Sequence, residues 1–217
     1  MAATNASSAR RDVLEMLIED HKKVKKMFRD FEKKNEQDDT EGCREIVERT
    51  CAELEVHATL EEELFYPAIR KAMKDKDLID EAEVEHGSAK QLIAQLKKME
   101  SSDPKYAATF TVLGEYINHH VREEEGEIFP QLNRSTQVDW GSLSDQVIER
   151  KAELMQQHGL AEEDEEAGEG SEDREPVGAR AGSRRSQLGG ETRSTSPSAR
   201  KGSGRSGNPA GRKTRNS

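Results

Sequence analysis

Four stretches of this chain carry apolar residues three and four positions apart, and each breaks its apolar stripe near mid-length with an ionisable side chain. The first reads Leu14, Leu17, His21, Val24, Phe28 and Phe31. The second reads Ile46, Thr50, Leu54, His57, Glu61, Leu64 and Ala68. The third reads Ile79, Ala82, His86, Ala89, Ile93 and Leu96, and the fourth Phe110, Leu113, Ile117, His120, Glu124, Ile128 and Gln131. A period of about 3.6 residues puts each set on one face of an α-helix, the face a helix bundle buries. No segment alternates in the manner of a strand. The spacing predicts an all-α, up-down-up-down four-helix bundle with a short fifth helix.

The breaks fall at one level. His21 and His57 stand at similar distances on either side of the turn near Gln37, and His86 and His120 do so around Ser102. At about 1.5 Å of rise per residue, antiparallel neighbours bring all six ionisable residues to one layer. Burying one such group costs several kcal/mol unless it is paired or bound to a metal, so six together call for a common reason.

The chain also repeats itself. His57-x-x-x-Glu61 is followed by Tyr66-Pro67, and His120-x-x-x-Glu124 by Phe129-Pro130, each proline ten residues after its histidine. Asp20-His21 and Glu85-His86 form the matching second pair. Two copies of a half-site predict two metals. In H-x-x-x-E the two side chains lie one turn apart on one face. Imidazole with carboxylate suits iron, manganese or zinc, and the lack of thiolates argues against a closed structural zinc site. The metal ligands predicted are therefore His21, His57, Glu61, His86, His120 and Glu124. If both glutamates bridge two six-coordinate ions and an oxygen bridges as well, about two positions stay open. Those positions are where O2, peroxide or NO would bind.

Expectations for the flanking residues follow. Glu53 and Tyr116 lie one turn before His57 and His120 and are candidates for an added ligand or hydrogen-bond donor. Asp20, Glu62, Glu63, Glu85, Glu123 and Glu125 read as solvent-facing, His119 as surface or boundary, and His158 as a helix C-terminal residue. The helices are placed at about 8–34, 40–74, 76–100, 103–133 and from 142 to Gly159. Ser7 or Ser8, an Asp38/Glu41 capping box, Asp75 or Asp77, and Asp103 before Pro104 are expected at their starts.

The bundle is expected to span residues 8–158. Beyond it, Glu162–Glu175 is acidic and Gly178–Ser217 is rich in Gly, Ser, Arg and Lys. Such a composition buries too little apolar surface to offset its ordering entropy, so 159–217 is expected to be a disordered tail, acidic then basic. A solubilising role is favoured for it over weak contact with nucleic acid or an acidic partner. Cys43 and Cys51 lie eight apart in one helix, too far to pair. No secretory signal and no apolar run of about 20 residues is present, so a soluble cytoplasmic protein is expected.

The residues His21, His57-Ala-Thr-Leu-Glu61 with Phe65-Tyr66-Pro67, Glu85-His86, and His120-Val-Arg-Glu-Glu124 with Ile128-Phe129-Pro130 resemble the hemerythrin-like, or HHE cation-binding, domain family. The resemblance covers about residues 8–133. It implies two iron ions, Fe2+ or Fe3+, joined by an oxo or hydroxo bridge, and a role in binding or sensing O2, peroxide or NO. The oxygen carriers of the family have a second histidine one turn after the third-helix ligand, and Lys90 stands there here. That departure argues against simple O2 carriage. The alternatives are a di-iron enzyme acting on peroxide or NO, and an adaptor working through the basic tail.

Overall fold

In the computed structural model, residues 2–132 and 135–160 are described, and within them all regular structure is helical. Helix α1 spans Ala2–Glu36. Helix α2, Thr40–Leu60, runs without a break into a π-helical turn, Glu61–Phe65, and a final α-turn, α3, Tyr66–Ile69. Helix α4 is Asp77–Leu96. Helix α5, Tyr106–Glu123, repeats the pattern of α2: a π-turn, Glu124–Ile128, then α6, Phe129–Leu132. Helix α7 is Trp140–Gln157. None of these helices is long and apolar enough to cross a membrane.

The apolar stripes form two clusters with the polar layer between them. On one side Val13, Leu14 and Leu17 pack with Leu60, Tyr66, Ile79 and Leu132. On the other, Val24, Phe28 and Phe31 pack with Val47, Leu54, Ile93 and Phe110. The start of α1 thus meets the end of α2, and the end of α1 meets the start of α2, as an antiparallel hairpin requires. Helix α1 packs against α2, α5 and α7, and α4 against α5 and α2. Helix α7 buries Trp140, Leu143, Val147 and Leu154 in the first cluster. Cys43 and Cys51 are both free and buried.

Helix ends differ from the sequence expectation in detail. The N-cap of α2 is Asp39, whose carboxylate accepts from Gly42 N at 3.0 Å, in place of an Asp38/Glu41 box. Asp38 instead closes α1. It takes φ 55°, while Asp38 N donates to Asn35 O and Asp39 N to Lys34 O, the paired bonds of a Schellman motif. Helix α7 starts at Trp140 with Asp139 as its cap, and Gly159 ends it at φ 69° with the same bond pair. Asp103 caps a turn, accepting from Lys105 N at 2.7 Å, and α5 proper begins at Tyr106. Asp75 accepts from Asp77 N at 3.1 Å ahead of α4. The expected tail, apart from Gly159 and Leu160, lies outside the described residues.

Candidate metal centre

Helix geometry carries the site. In α2 and α5 the histidine and glutamate are one turn apart, and the π-turn begins at the glutamate: Tyr66 N donates to Glu61 O and Phe129 N to Glu124 O, five residues back. The prolines explain these wide turns. Pro67 and Pro130 have no N–H to donate, and in an α-helix their rings would strike the carbonyl four residues back. Opening the turn relieves that clash, and π-turns of this kind collect at functional sites. The sequence showed the prolines as a repeat. The structure shows what they do.

All six predicted ligands are buried in one layer, His21, His57, His86 and His120 at 2–6% exposure and Glu61 and Glu124 at 0%. The four rings point Nε2 inward. His21 Nε2 lies 3.1 Å from His57 Nε2, and His86 Nε2 lies 3.1 Å from His120 Nε2. Two nitrogens each about 2.1 Å from one ion, at a right angle, stand about 3.0 Å apart. Glu61 Oε2 sits 3.3 Å from His57 Nε2 and 3.4 Å from His86 Nε2, between the two histidine pairs. Glu124 Oε2 sits 3.2 Å from His21 Nε2 and 3.7 Å from His120 Nε2. The donor atoms form two groups, each within 4.8 Å: His21, His57, Glu61 and Glu124, and Glu61, His86 and His120.

Three of the four rings are hydrogen-bonded from behind by a carboxylate on Nδ1, and the fourth faces one without a hydrogen bond. His21 meets Glu125 at 2.9 Å, His86 meets Glu62 at 3.1 Å, and His120 meets Glu85 at 2.9 Å. Asp20 Oδ2 faces His57 Nδ1 at 3.5 Å. An ionised carboxylate only accepts, so Nδ1 is the protonated nitrogen and Nε2 presents its lone pair to the centre. This corrects the expectation that Asp20, Glu62 and Glu85 face solvent; Glu125 is exposed as expected, yet its carboxylate reaches His21. Three are also tied to lysines: Asp20 to Lys151 at 2.5 Å, Glu62 to Lys90 at 2.6 Å, and Glu125 to Lys25 at 3.7 Å. Behind Glu85 stands the half-exposed His119 at 3.4 Å, which with Glu123 forms a third, surface cluster. The signal for these residues was in the repeat. Asp20 and Glu85 each directly precede a site histidine, and Glu62 and Glu125 each directly follow a site glutamate.

Other expectations are corrected. Tyr116 is exposed, at 47%, and is no part of the site. Glu53 is buried but pairs with Lys23, outside both donor groups. Lys90 binds Glu62 and offers the centre no ligand in place of the absent histidine. Glu63 is held by Arg150 of α7 at 2.8 Å. A residue the sequence reading treated only as part of the repeat is Tyr66. Fully buried, it donates from its hydroxyl to Glu124 Oε1 at 2.9 Å, with its ring 5.6 Å from that of His86. Phe129, its counterpart, stacks beside His21 at 6.1 Å and has no hydroxyl.

The electrostatics show what the layer lacks. Both oxygens of Glu61 and Oε2 of Glu124 are buried without a hydrogen bond. Burial, and then the neighbouring Glu124 carboxylate, push Glu61 well above the usual carboxylate range. Glu124 moves the other way: burial opposes its charge, but the close approach of His21 and the presence of His120 and His57 outweigh it. Burial holds His57 down to about 4. His21 and His120 are raised, because Glu124 and Glu85 outweigh the effect of burial. Unpaired carboxylate oxygens facing inward-aimed imidazole nitrogens are what a bound cation would satisfy, so the donor set fits a metal. Above the rings, Val24, Leu54, Ala89, Ile93, Ile117 and Val121 wall a cavity of about 20 Å³ with the four histidines as its floor.

Comparison with known proteins agrees with this geometry. The profile of the hemerythrin HHE cation binding domain matches residues 12–132. A protein of Nostoc sp. (strain PCC 7120 / SAG 25.82 / UTEX 2576) described as a DNA nickase is 29% identical over 124 residues, which are 57% of this chain and 33% of that protein. The chain therefore spans about a third of the length of that relative. No solved structure matches. With the match covering more than half of the chain and the six donors gathered inside it, this protein belongs to the hemerythrin HHE cation-binding domain family.

Proposed function

We propose that the bundle holds two iron ions, one between His21 and His57 and one between His86 and His120, with Glu61 and Glu124 between them, and that it binds or senses O2, peroxide or NO. The observation that carries this is the arrangement of the four rings. Every Nε2 faces the unpaired carboxylates, and every Nδ1 faces an outer carboxylate. Iron, when bound, would supply redox chemistry and an exchangeable position. The residues supply the rest. The outer carboxylates fix ring tautomer and orientation, and the cavity walls are mainly apolar, with Asp20 and Lys90 among the lining residues. The cavity has room for about one water-sized molecule, a size that suits a diatomic gas or peroxide. An enzyme acting on peroxide or NO is the alternative.

The DNA nickase relative raises a reading in which the centre cuts a phosphodiester. The six donors are at most 6% exposed and the cavity is about 20 Å³, so a nucleic-acid backbone cannot reach them in this conformation. A nicking activity would have to use other residues.

The test is to purify the protein, count metals per chain and record the visible spectrum in air and after peroxide. Two irons with the charge-transfer bands of a bridged pair support the proposal, and turnover of peroxide or NO separates enzyme from binder. Unchanged metal content in the His57→Ala, His120→Ala double variant would sink the ligand assignment. Relaxation of supercoiled plasmid that survives in that double variant would place any nicking elsewhere.

A further inference from the structure

We propose that α7, which supplies no metal ligand, is coupled to metal binding through Lys151: by holding Asp20 behind His57, Lys151 makes docking of α7 and occupation of the centre support each other. The inference rests on the two-ion reading above, and needs from it only an ion on His57.

The four outer carboxylates are themselves backed, and the backing differs in origin. Glu125 is met by Lys25 of α1, Glu62 by Lys90 of α4, and Glu85 by His119 of α5, so in each of these cases the backing helix also carries a site histidine. Asp20 is met by Lys151 of α7, a helix with no residue in either buried donor group. Of the four backing side chains Lys151 is the most buried, at 20% exposure against 28%, 42% and 55% for Lys25, Lys90 and His119. Its ammonium donates to Asp20 Oδ1 at 2.5 Å, which leaves Oδ2 facing His57 Nδ1 at 3.5 Å. That Oδ2 and that Nδ1 are both buried, and neither has a hydrogen bond. They stand about 0.5 Å farther apart than an ordinary N–H···O pair. An ion on Nε2 draws electron density from the ring and makes Nδ1–H a stronger donor, which favours closing that gap. Asp20 closes it from the position in which Lys151 holds it, and without Lys151 the carboxylate is free to turn toward water. Helix α7 is also anchored beside the same stretch of ligands. Arg150 forks onto Glu63, two residues past Glu61, at 2.8 and 3.2 Å, and His158 Nδ1 lies 3.4 Å from Glu55, two residues before His57. Such coupling is reciprocal: the factor that docking of α7 adds to metal affinity is the factor that a bound ion adds to docking.

Lys151 is thus a positioning residue acting through Asp20. The probe is Co2+, titrated into metal-free full-length protein against a competing chelator, with hydrogen exchange of Trp140–Gln157 read by mass spectrometry in the same samples. Lys151→Met keeps the length of the side chain and removes its charge. It should lose about three- to tenfold in Co2+ affinity, less than the loss of a carboxylate that touches a ring, and Lys151→Arg should return to within about twofold of native. In the native protein Co2+ should slow exchange of α7 by about three- to tenfold, the factor that reciprocity requires. In Lys151→Met that slowing should fall below about twofold, while the slowing in α5, which carries His120, persists. In an Asp20→Asn background Lys151→Met should cost nothing more. A lysine that only supported the fold would lower the melting temperature equally with and without Co2+ and would not depend on Asp20. Circular dichroism establishes that each variant is folded. Native affinity in a folded Lys151→Met protein, a full loss in the Asp20→Asn background, or an equal loss from Arg150→Met, which touches no outer carboxylate, overturns the inference and leaves the two-ion reading standing. If Lys151→Met does not fold, the native protein carries the test alone, and exchange of α7 that Co2+ leaves unchanged overturns the inference. No uptake of Co2+ overturns the two-ion reading, and the inference falls with it.

Discussion

Replacing Glu85 by alanine tests whether the outer carboxylates hold the centre together. Glu85 Oε2 sits 2.9 Å from His120 Nδ1, and the side chain is 19% exposed. Its loss leaves a buried N–H without an acceptor and lets the ring turn or change tautomer. Removal of such a partner costs about 10- to 100-fold in metal affinity, which is about 1.4 to 2.8 kcal/mol. The structure grades the series. Glu85 and Glu125 lie at 2.9 Å from their rings and Asp20 at 3.5 Å from His57, so alanine at 85 or 125 should fall near the upper end and alanine at 20 near about tenfold. Glu85→Gln keeps a carbonyl acceptor and should recover most of the loss. The assay is competition with a chelator, read as metal per chain across chelator concentrations. If Glu85→Ala and Asp20→Ala both bind within about twofold of the native protein, the idea that these carboxylates orient the ligands is refuted. An equal loss in Glu85→Gln and Glu85→Ala would trace the effect to charge alone.

Three further outcomes follow from the same structure. Asp38 takes φ 55° at the end of α1, so Asp38→Gly should stabilise the protein by about 0.5–1 kcal/mol in urea denaturation. Gly114→Ala should instead destabilise by about 1–2 kcal/mol. Its new Cβ would meet the Phe28 ring at 3.0 Å, and that ring is wedged against Phe110 at a centroid distance of 4.7 Å and cannot retreat. Glu62 is lowered to about 2 by its hydrogen bond to His86 and by Lys90, so its contribution is present above about pH 4.5 and lost as pH falls through about 2. The melting temperature of Glu62→Gln should accordingly sit below that of the native protein at neutral pH, and the gap should close on acidification. A gap that widens instead would refute the sign.

Much of the centre was legible without coordinates, because helical periodicity is a local property. A histidine three or four positions from its apolar neighbours must share their face, whatever the rest of the chain does. That argument located His21, His57, Glu61, His86, His120 and Glu124, and the duplicated spacing paired them. It missed the contacts that Asp20, Glu62, Glu85 and Glu125 make with the rings, although Glu125 is exposed as expected. Each adjoins a site residue, and about 100° of rotation along one helix points it away from the centre of the bundle. What that direction meets is another helix: Glu125 reaches across to α1, Glu62 to α4, and Glu85 to α5. Tyr116 failed in the opposite sense, since the position one turn before His120 faces solvent.

Capping shows the same division at smaller scale. The composition of the turn after α1 announces a break, but which of Asp38 and Asp39 caps α2 depends on which one takes the left-handed conformation that closes α1.

The residues alone determined the helical class, the antiparallel hairpins, the level of the polar layer and the six ionisable residues buried in it, because period and spacing act within single helices. Only the packing of those helices decided which carboxylate stands behind which imidazole, and that Tyr66 reaches the glutamate of the other half. Those contacts join positions 24 to 104 residues apart in sequence, such as Glu62 with His86 and Glu125 with His21, and their geometry is set by how far each helix is rotated against its neighbour.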